Sequence, residues 1–298
     1  MTQNVLITGA SSGFGLETAL HLAEHGYRVF ATVRDPRKRE SVEAVANRRG
    51  LVLNILLLDV TDPIGVRSVV ETILNDNGAI HVLVNNAGIG LHGFFEDLSE
   101  EEIREVFNVN VFGVMSVTKA VLPQMRKAGS GRIIMISSAG GRIASMTMSA
   151  YCASKFAVEG FAEALAMEMA PFGVHVSVVE PGLSLTHIFT VNRNVARAAS
   201  QPNSPYHAWF MRHEGMLDAI LRKKHIVPTD VASTVRMALE AQNPHLRYVV
   251  GWRARCLIGL KRHLPGELFH RVYSRELIRR VAEQRSPDQE AKPSSEPK

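Results

Sequence analysis

An α/β fold, a doubly wound parallel sheet held between two helix layers in a single three-layer α/β/α domain, is predicted by three features of this sequence. Short β-branched or apolar runs alternate with segments of helical periodicity across residues 1–250. The run at 51–58 is apolar but for Asn54 and of strand length, as suits a parallel strand buried on both faces. Each cluster of chemistry-bearing residues falls where a predicted strand stops, the edge at which such sheets bind ligands.

The elements follow in order. Residues 4–8 form a β-branched strand that stops at Gly9-Ala10-Ser11-Ser12-Gly13-Phe14-Gly15 and leads into a helix. Strand, glycine turn and helix together place backbone N–H groups and a helix N-terminus where a pyrophosphate can sit, and Gly15 permits close helix–strand packing. The helix buries Leu16, Ala19, Leu20 and Ala23. Its other face carries His21-Leu22-Ala23-Glu24-His25, which fits an inverted zinc-protease pattern. No metal is expected there, because the helix already serves the glycine turn and Glu17 with His21 makes an ordinary i,i+4 pair.

A second strand, 28–33, ends at Val33-Arg34. In a doubly wound sheet that end faces the adenosine ribose, where an acid binds the 2′-hydroxyl and an arginine accepts a 2′-phosphate. Val33 occupies the slot of the acid and Arg34 follows it, so NADP(H) is favoured over NAD(H). The third strand, 51–58, ends at Asp59-Val60, placed to meet the adenine edge. A helix from Pro63 leads to strand 80–84 and then to Asn85-Asn86-Ala87-Gly88. Ser99, with Glu102 three residues on, caps a helix that runs through Asn110 towards Met125. Strand 132–136 ends at Ser137-Ser138, and a helix from Tyr151 closes at Pro171-Phe172-Gly173. A sixth strand, 174–179, ends at Glu180-Pro181-Gly182-Leu183-Ser184-Leu185-Thr186. Residues 183–225 are long and mixed in character, as expected of a lid over a binding site. Pro228-Thr229-Asp230 caps a further helix, and 247–250 is a last strand. Residues 251–283 form a basic amphipathic extension, and 284–298, with no large apolar residue, are expected to be disordered.

Within this frame Tyr151 and Lys155 carry the chemistry. Residues at i and i+4 share a helix face. A phenol titrates near ~10 unaided, and favouring its phenolate by roughly 3 units takes about 4 kcal/mol. One ammonium at about 4 Å in an effective dielectric near ~20 supplies about that much. Cys152 points away from this face and reads as packing.

The bulk numbers exclude several classes. A chain of 298 residues, 46% apolar and 21% charged, can bury a full core. Its two cysteines, Cys152 and Cys256, form neither a disulfide framework nor a zinc cluster, so a reducing compartment is expected. The start Met1-Thr2-Gln3-Asn4 has no basic region, and Val5-Leu6-Ile7 is too short for a signal core or a membrane span; a cytoplasmic location follows. The net charge of +5 is local: residues 252–280 carry about +6, leaving the remainder near −1. Basicity confined to one segment argues against a nucleic-acid-binding body. That segment could instead lie on an anionic membrane surface. The favoured alternative packs Leu257, Leu260, Leu264, Leu268 and Tyr273 on the domain or a partner subunit.

With these pieces in place the sequence resembles the short-chain dehydrogenase/reductase family in its one-domain, tyrosine-dependent form. The resemblance covers residues 4–250 and rests on five ordered motifs: Thr8-Gly9-x-x-x-Gly13-x-Gly15, Asn85-Asn86-Ala87-Gly88, Asn110, Ser138 ahead of Tyr151-x-x-x-Lys155, and Pro181-Gly182-x-x-x-Thr186. Arg34, the Tyr151-Cys152-Ala153-Ser154-Lys155 run and Pro171-Phe172-Gly173-Val174-His175 look most like the 17β-hydroxysteroid and retinol dehydrogenase-type members. Met146 and Leu183 stand where many relatives carry proline. The resemblance implies a Rossmann-type fold and an NADP(H)-dependent oxidoreductase of a lipophilic ketone, aldehyde or secondary alcohol. It implies Tyr151 as general acid or base, with Lys155 and the oxidised nicotinamide lowering its pKa, and Ser138 on the substrate oxygen. Asn110 would hold a water of a proton relay, and Lys155 the nicotinamide ribose. Gly9, Ser11, Ser12, Gly13, Phe14, Gly15, Arg34, Asp59, Val60, Asn86, Ala87, Gly88, Pro181 and Gly182 would line the cofactor, with Ser184 and Thr186 at the carboxamide. It also implies a homo-oligomer assembled through the long helices. The rival reading, a non-catalytic NADP(H) sensor or scaffold, is disfavoured because Asn110, Ser138, Tyr151 and Lys155 are all present.

Overall fold

The structure, a computed structural model, describes residues 2–183, 193–222 and 226–284. Seven parallel strands form one sheet in the order β3-β2-β1-β4-β5-β6-β7. They are β1 (Asn4–Ile7), β2 (Arg28–Val33), β3 (Asn54–Leu57), β4 (Val82–Asn85), β5 (Gly131–Ile136), β6 (Val174–Pro181) and β7 (Arg247–Val250). The chain winds outward from β1 to β3, then crosses back to place β4 on the other side of β1. The carboxyl ends of β1 and β4 therefore part at a topological switch point, where a crevice opens.

Strand alternation sorts the core into two layers. Leu6, Leu83, Ile133, Met135 and Val176 face a layer made by α3 (Pro63–Asn77), α5 (Val114–Ala128) and α6 (Ser149–Met169). Val5, Ile7, Val84, Ile134 and Ile136 face α1 (Gly13–Glu24) and α8 (Pro228–Glu240). Val42 of α2 (Arg39–Arg48) packs with Val33 and Ile55.

The third strand departs from expectation. It is shorter than 51–58 and lies at the sheet edge, so Leu57 is 48% exposed and Val52 84% exposed. An apolar run marks strand length but does not report position in the sheet.

The Ser99 cap forms as a complete capping box with Glu102, opening α4 (Glu100–Phe107). The helical path to Ala128 is not uniform: Asn108–Gly113 is a π-helical turn between α4 and α5. By length and composition this stretch could cross a membrane, but Val106, Val117, Val121 and Met125 are buried in the protein core, which accounts for its apolarity.

Of the 183–225 stretch, the described part is ordered. Val195 pairs with His92 in an isolated parallel bridge, and α7 (His207–Leu221) follows. The C-terminal extension is two helices, α9 (Trp252–His263) and α10 (Gly266–Glu283), broken at Leu264-Pro265. The ring at Pro265 removes a backbone donor and favours such a break. Of the expected disordered tail, 285–298 lies outside the described residues.

Candidate active site

The turn after β1 is built for close approach. Gly9 has φ +68°, and a Cβ there would stand 2.8 Å from the Ala87 Cα, so the loops after β1 and β4 touch. Thr8 Oγ1 accepts the N–H groups of Asn86 and Ala87, each at 3.0 Å. Asn86 Nδ2 donates to the carbonyls of Thr8 and Gly9 at 3.0 and 2.9 Å. Asn86 is thus the staple that fixes one loop against the other. Ser12 stands at the N-cap of α1 in an extended conformation with no side-chain cap, leaving that helix end to a ligand.

A cleft of about 560 Å³ opens above this turn. Gly9, Ser11, Ser12, Gly13, Phe14, Arg34, Asp59, Val60, Asn86, Ala87 and Gly88 all line it, joined by Lys38 and, at the far end, Ile89, Val109, Arg193 and Asn194. Five predicted contacts among the described residues do not: Tyr151 and Lys155, which stand beyond it at the ends of β4 and β5, and three glycine or proline positions. Gly15 lies beneath the turn, where a Cβ would overlap Asn86 Nδ2 and the Gly9 carbonyl. Pro181 is buried, and Gly182 packs against Ala254, Ile226 and the Val250 carbonyl. Ser184 and Thr186 lie outside the described residues.

Asp35 also lines the cleft, but Arg37 binds its carboxylate at 2.9 to 3.2 Å and holds its pKa below the usual value. The acid next to Arg34 is therefore already engaged.

The four chemistry-bearing residues meet at the ends of β4 and β5. Asn110 sits in the π turn, where the widened backbone turns its amide inward. Its Oδ1 accepts the Ile89 N–H at 2.8 Å, and its Nδ2 donates to the Ile89 carbonyl at 2.9 Å and to Ser154 Oγ at 3.0 Å. Ser154 passes its own proton to the Tyr151 carbonyl at 2.7 Å. The Tyr151 phenol lies beside Ser138, which acts to lower its pKa, and Ser138 Oγ accepts the Gly140 N–H at 3.0 Å. Lys155 Nζ donates to the Ile136 carbonyl at 2.9 Å. A Cβ on Gly88 would stand 3.2 Å from Asn110 Oδ1 and 3.6 Å from Lys155 Nζ, so glycine leaves a small space between those two groups.

The electrostatics differ from expectation. Burial pushes the Tyr151 phenol up to about 12, with Ser138 opposing this, and burial draws Lys155 down to about 8. The lysine does not offset the desolvation of the phenol in the protein alone. Its ammonium is spent on a carbonyl 2.9 Å away and stands 5.8 Å from the Tyr151 ring centre.

Glu159, one turn beyond Lys155 and absent from the sequence reading, is the charge that holds the lysine's pKa up against burial. Its Oε2 accepts Arg247 Nε at 3.0 Å, and that same Nε stands 3.4 Å from Glu180 Oε1, while Arg142 binds Glu180 at 2.8 Å. Burial and the neighbouring Glu159 raise the pKa of Glu180. The i,i+4 spacing from Lys155 was the available signal, but acidic residues at that spacing are common on exposed faces.

A second buried network borders the other side of the site. Thr147, four residues before Tyr151, is the non-glycine residue with positive φ (62°) among the described residues. Such a conformation costs a β-branched residue about 1–3 kcal/mol. It is held by its carbonyl, which accepts the Gly93 N–H at 2.8 Å, and by its hydroxyl, 3.0 Å from His213 Nδ1. His92 Nδ1 meets Glu214 Oε1 at 2.9 Å, and Arg193 joins Glu214 to Asp218 at 2.7 Å each. Burial opposes ionisation of Glu214, but His213, His92 and Arg193 around it hold its carboxyl well below the usual carboxylate range. These contacts tie α7 to the loop after β4. Met148, Leu183 and Leu221 pack with Tyr151 and Cys152, giving the tyrosine an apolar flank. Burial raises the Cys152 thiol, consistent with packing.

The ligand atoms of His21, Glu24 and His25 come within 4.8 Å of one another. However, Arg236 Nε stands 3.2 Å from His21 Nε2 and Arg49 reaches Glu24 at 3.5 Å, so two guanidinium groups oppose a cation there. Glu17 pairs with Arg49 at 3.0 Å, not with His21 as its spacing predicts.

Comparison with known proteins agrees with this geometry. Residues 3–196 match the family model described as short chain dehydrogenase. A 3-ketodihydrosphingosine reductase of Bacteroides thetaiotaomicron is 42% identical over 249 residues, 84% of this chain and 88% of that protein. Human 17-beta-hydroxysteroid dehydrogenase type 1 is 36% identical over 252 residues, 82% of this chain and 76% of the relative. Among solved structures, a short-chain dehydrogenase from Streptomyces avermitilis superposes with a TM-score of 0.76 at 32% identity, covering 95% of this chain and all of that one.

Proposed function

This chain is an oxidoreductase of the short-chain dehydrogenase family, and from that premise we propose that it is an NADP(H)-dependent enzyme interconverting a lipophilic ketone or aldehyde and its alcohol. The observation that carries the reading is the convergence of buried Tyr151 and Lys155 with Ser138, Asn110 and Ser154 beside the glycine-turn cleft.

The residues fit a dinucleotide. The N-terminus of α1, free of a side-chain cap, suits a pyrophosphate. Arg34 and Lys38, with Asp35 engaged by Arg37, suit a 2′-phosphate. When bound, the nicotinamide supplies or accepts the hydride. The protein's share is proton movement and charge stabilisation. In reduction the Tyr151 hydroxyl donates to the substrate oxygen while Ser138 Oγ hydrogen-bonds it as negative charge develops. In oxidation Tyr151 takes the alcohol proton. Lys155, whose Nζ donates to the Ile136 carbonyl with two further protons to offer, would hold the nicotinamide ribose and favour the phenolate. The space at Gly88, between Lys155 Nζ and Asn110 Oδ1, suits a water that returns the proton towards solvent.

The apolar flank of Tyr151 (Met148, Leu183, Leu221) and the packed Phe94, Phe210 and Met211 beside it support a lipophilic substrate. So do the names of the two relatives, one a sphingoid ketone reductase and one a hydroxysteroid dehydrogenase. Exposed Phe112 and Met167 support self-association. Two free cysteines, Cys152 buried and Cys256 exposed, support a reducing compartment.

The assay is cofactor oxidation with NADPH and with NADH against 3-ketodihydrosphingosine, a steroid ketone, retinal and a small water-soluble ketone. The reading expects turnover with at least one lipophilic carbonyl and a preference for NADPH. Turnover confined to the small ketone overturns the substrate class, and equal use of NADH overturns the cofactor.

A further inference from the structure

The two C-terminal helices pack one side on the body and leave the other uncovered. α10 buries Phe269 and Val281, stacks Phe269 on Tyr273 with ring centres 5.6 Å apart, and brings Tyr273 beside Ser145. Its remaining face carries Leu268, Val272 and Ile278, exposed by 48, 55 and 47%, together with Arg271 and Arg275. At 100° per residue these five positions fall within one side of the helix. α9 adds Leu257, Leu260 and Trp252, exposed by 41, 48 and 70%. The pattern predicts packing of Leu257, Leu260 and Leu268 on the domain or a partner subunit; within this chain all three stand at the surface, so the domain does not cover them.

Charge identifies the occupant. Among the described residues no carboxylate lies within ion-pair distance of Arg253, Arg262, Arg271 or Arg275, whereas Arg279 and Arg280 are paired with Glu276. Uncompensated guanidinium groups interleaved with aliphatic side chains suit a surface that offers negative headgroups above an apolar layer. A second copy of this chain fits poorly, because a twofold contact would set Arg271 and Arg275 against the same residues. Nucleic acid would satisfy the arginines and leave the leucines, valine and isoleucine in water.

We propose that the exposed face of α10, with Leu257 and Leu260 of α9, docks this protein on an anionic lipid bilayer. Tyr273, on the packed side of α10, sets that helix beside Ser145 in the loop that leads to Tyr151, so the exposed face points away from the body there. Supply of substrate from the bilayer would rest on the reductase reading; the docking does not.

Flotation of the full chain tests this, using vesicles of phosphatidylcholine alone and of phosphatidylcholine mixed equally with phosphatidylglycerol. The chain is expected to float with the mixed vesicles only and to be released by high salt. Arg271→Glu/Arg275→Glu and Leu268→Ser/Val272→Ser should each weaken partitioning about tenfold or more, with thermal unfolding and NADPH binding unchanged. Failure of the parent chain to float with mixed vesicles, or flotation of both double variants at the parent level, overturns the proposal. A dimer in sedimentation that Leu268→Ser/Val272→Ser dissolves overturns it in favour of a second copy.

Discussion

Lys155 lies one turn along α6 from Tyr151, with Nζ 5.8 Å from the tyrosine ring centre, and both side chains are no more than 5% exposed. Burial acts on them in opposite directions, taking the phenol up to about 12 and the ammonium down to about 8. On the proposed reading Tyr151 is a proton donor whose acidity depends on the charge beside it. A bound oxidised nicotinamide would add a positive charge there and so couple proton transfer to cofactor state.

Burying the Lys155 ammonium has a cost that pH reveals. Between about 8 and its ordinary 10.5 the unfolded chain holds a proton that the folded chain has lost, so stability should rise with pH across that window. Below about 8 both states are protonated and the folded state bears the full penalty, on the order of 3 kcal/mol. Lys155→Met should thus unfold at a higher temperature at neutral pH, by a few degrees, and lose the rise above pH 8. A lower Tm for the variant at pH 7 contradicts this.

Glu159 acts on the chemistry through Lys155. Its carboxylate raises the lysine's pKa, so Glu159→Gln should move that pKa below about 8. The alkaline limb of the kcat/KM profile for carbonyl reduction should then shift to lower pH, with Glu159→Asp recovering part of the difference. A profile that keeps its midpoint while activity falls would assign Glu159 to structure alone.

Arg34 should set the cofactor. Arg34→Ala removes a charge-assisted contact of ~1.5–3 kcal/mol, so NADPH affinity should fall roughly ten- to a hundredfold while NADH affinity stays constant. Titration with both cofactors checks it, and equal losses for the two would place Arg34 elsewhere on the nucleotide.

At Gly9 a methyl group meets backbone. Gly9→Ala must adopt φ +68° and place its Cβ 2.8 Å from the Ala87 Cα. A loss of about 1–3 kcal/mol is expected, read as a lower Tm together with weaker NADPH binding. Unchanged values for both would mean that the two loops are not locked together.

The doubly wound parallel sheet and the meeting of Asn110, Ser138, Tyr151 and Lys155 were legible because each depends on local signals: β-branched runs, turn glycines and fixed spacings along one helix. The edge position of β3 was not, since an apolar run such as 51–58 reads alike in a central or an outer strand. Nor was the π turn at Asn108–Gly113, which shifts hydrogen bonds within a helix without altering its apolar periodicity. Glu159, Glu180 and the His92–Glu214–Arg193 network escaped notice because a buried charge is recognisable only beside the partners that tertiary packing brings to it. The helix-face argument placed Tyr151 and Lys155 together, as they are, but overestimated the lysine, because it fixed a dielectric without the cost of burying both groups.

The most direct test is the rate of NADPH-dependent carbonyl reduction by Tyr151→Phe, with cofactor binding measured on the same sample. NADPH should bind as before and kcat should fall about a thousandfold or more, the scale of losing a positioned general acid. A variant that binds NADPH and turns over within about tenfold of the parent chain would contradict the assignment of Tyr151 as the proton donor.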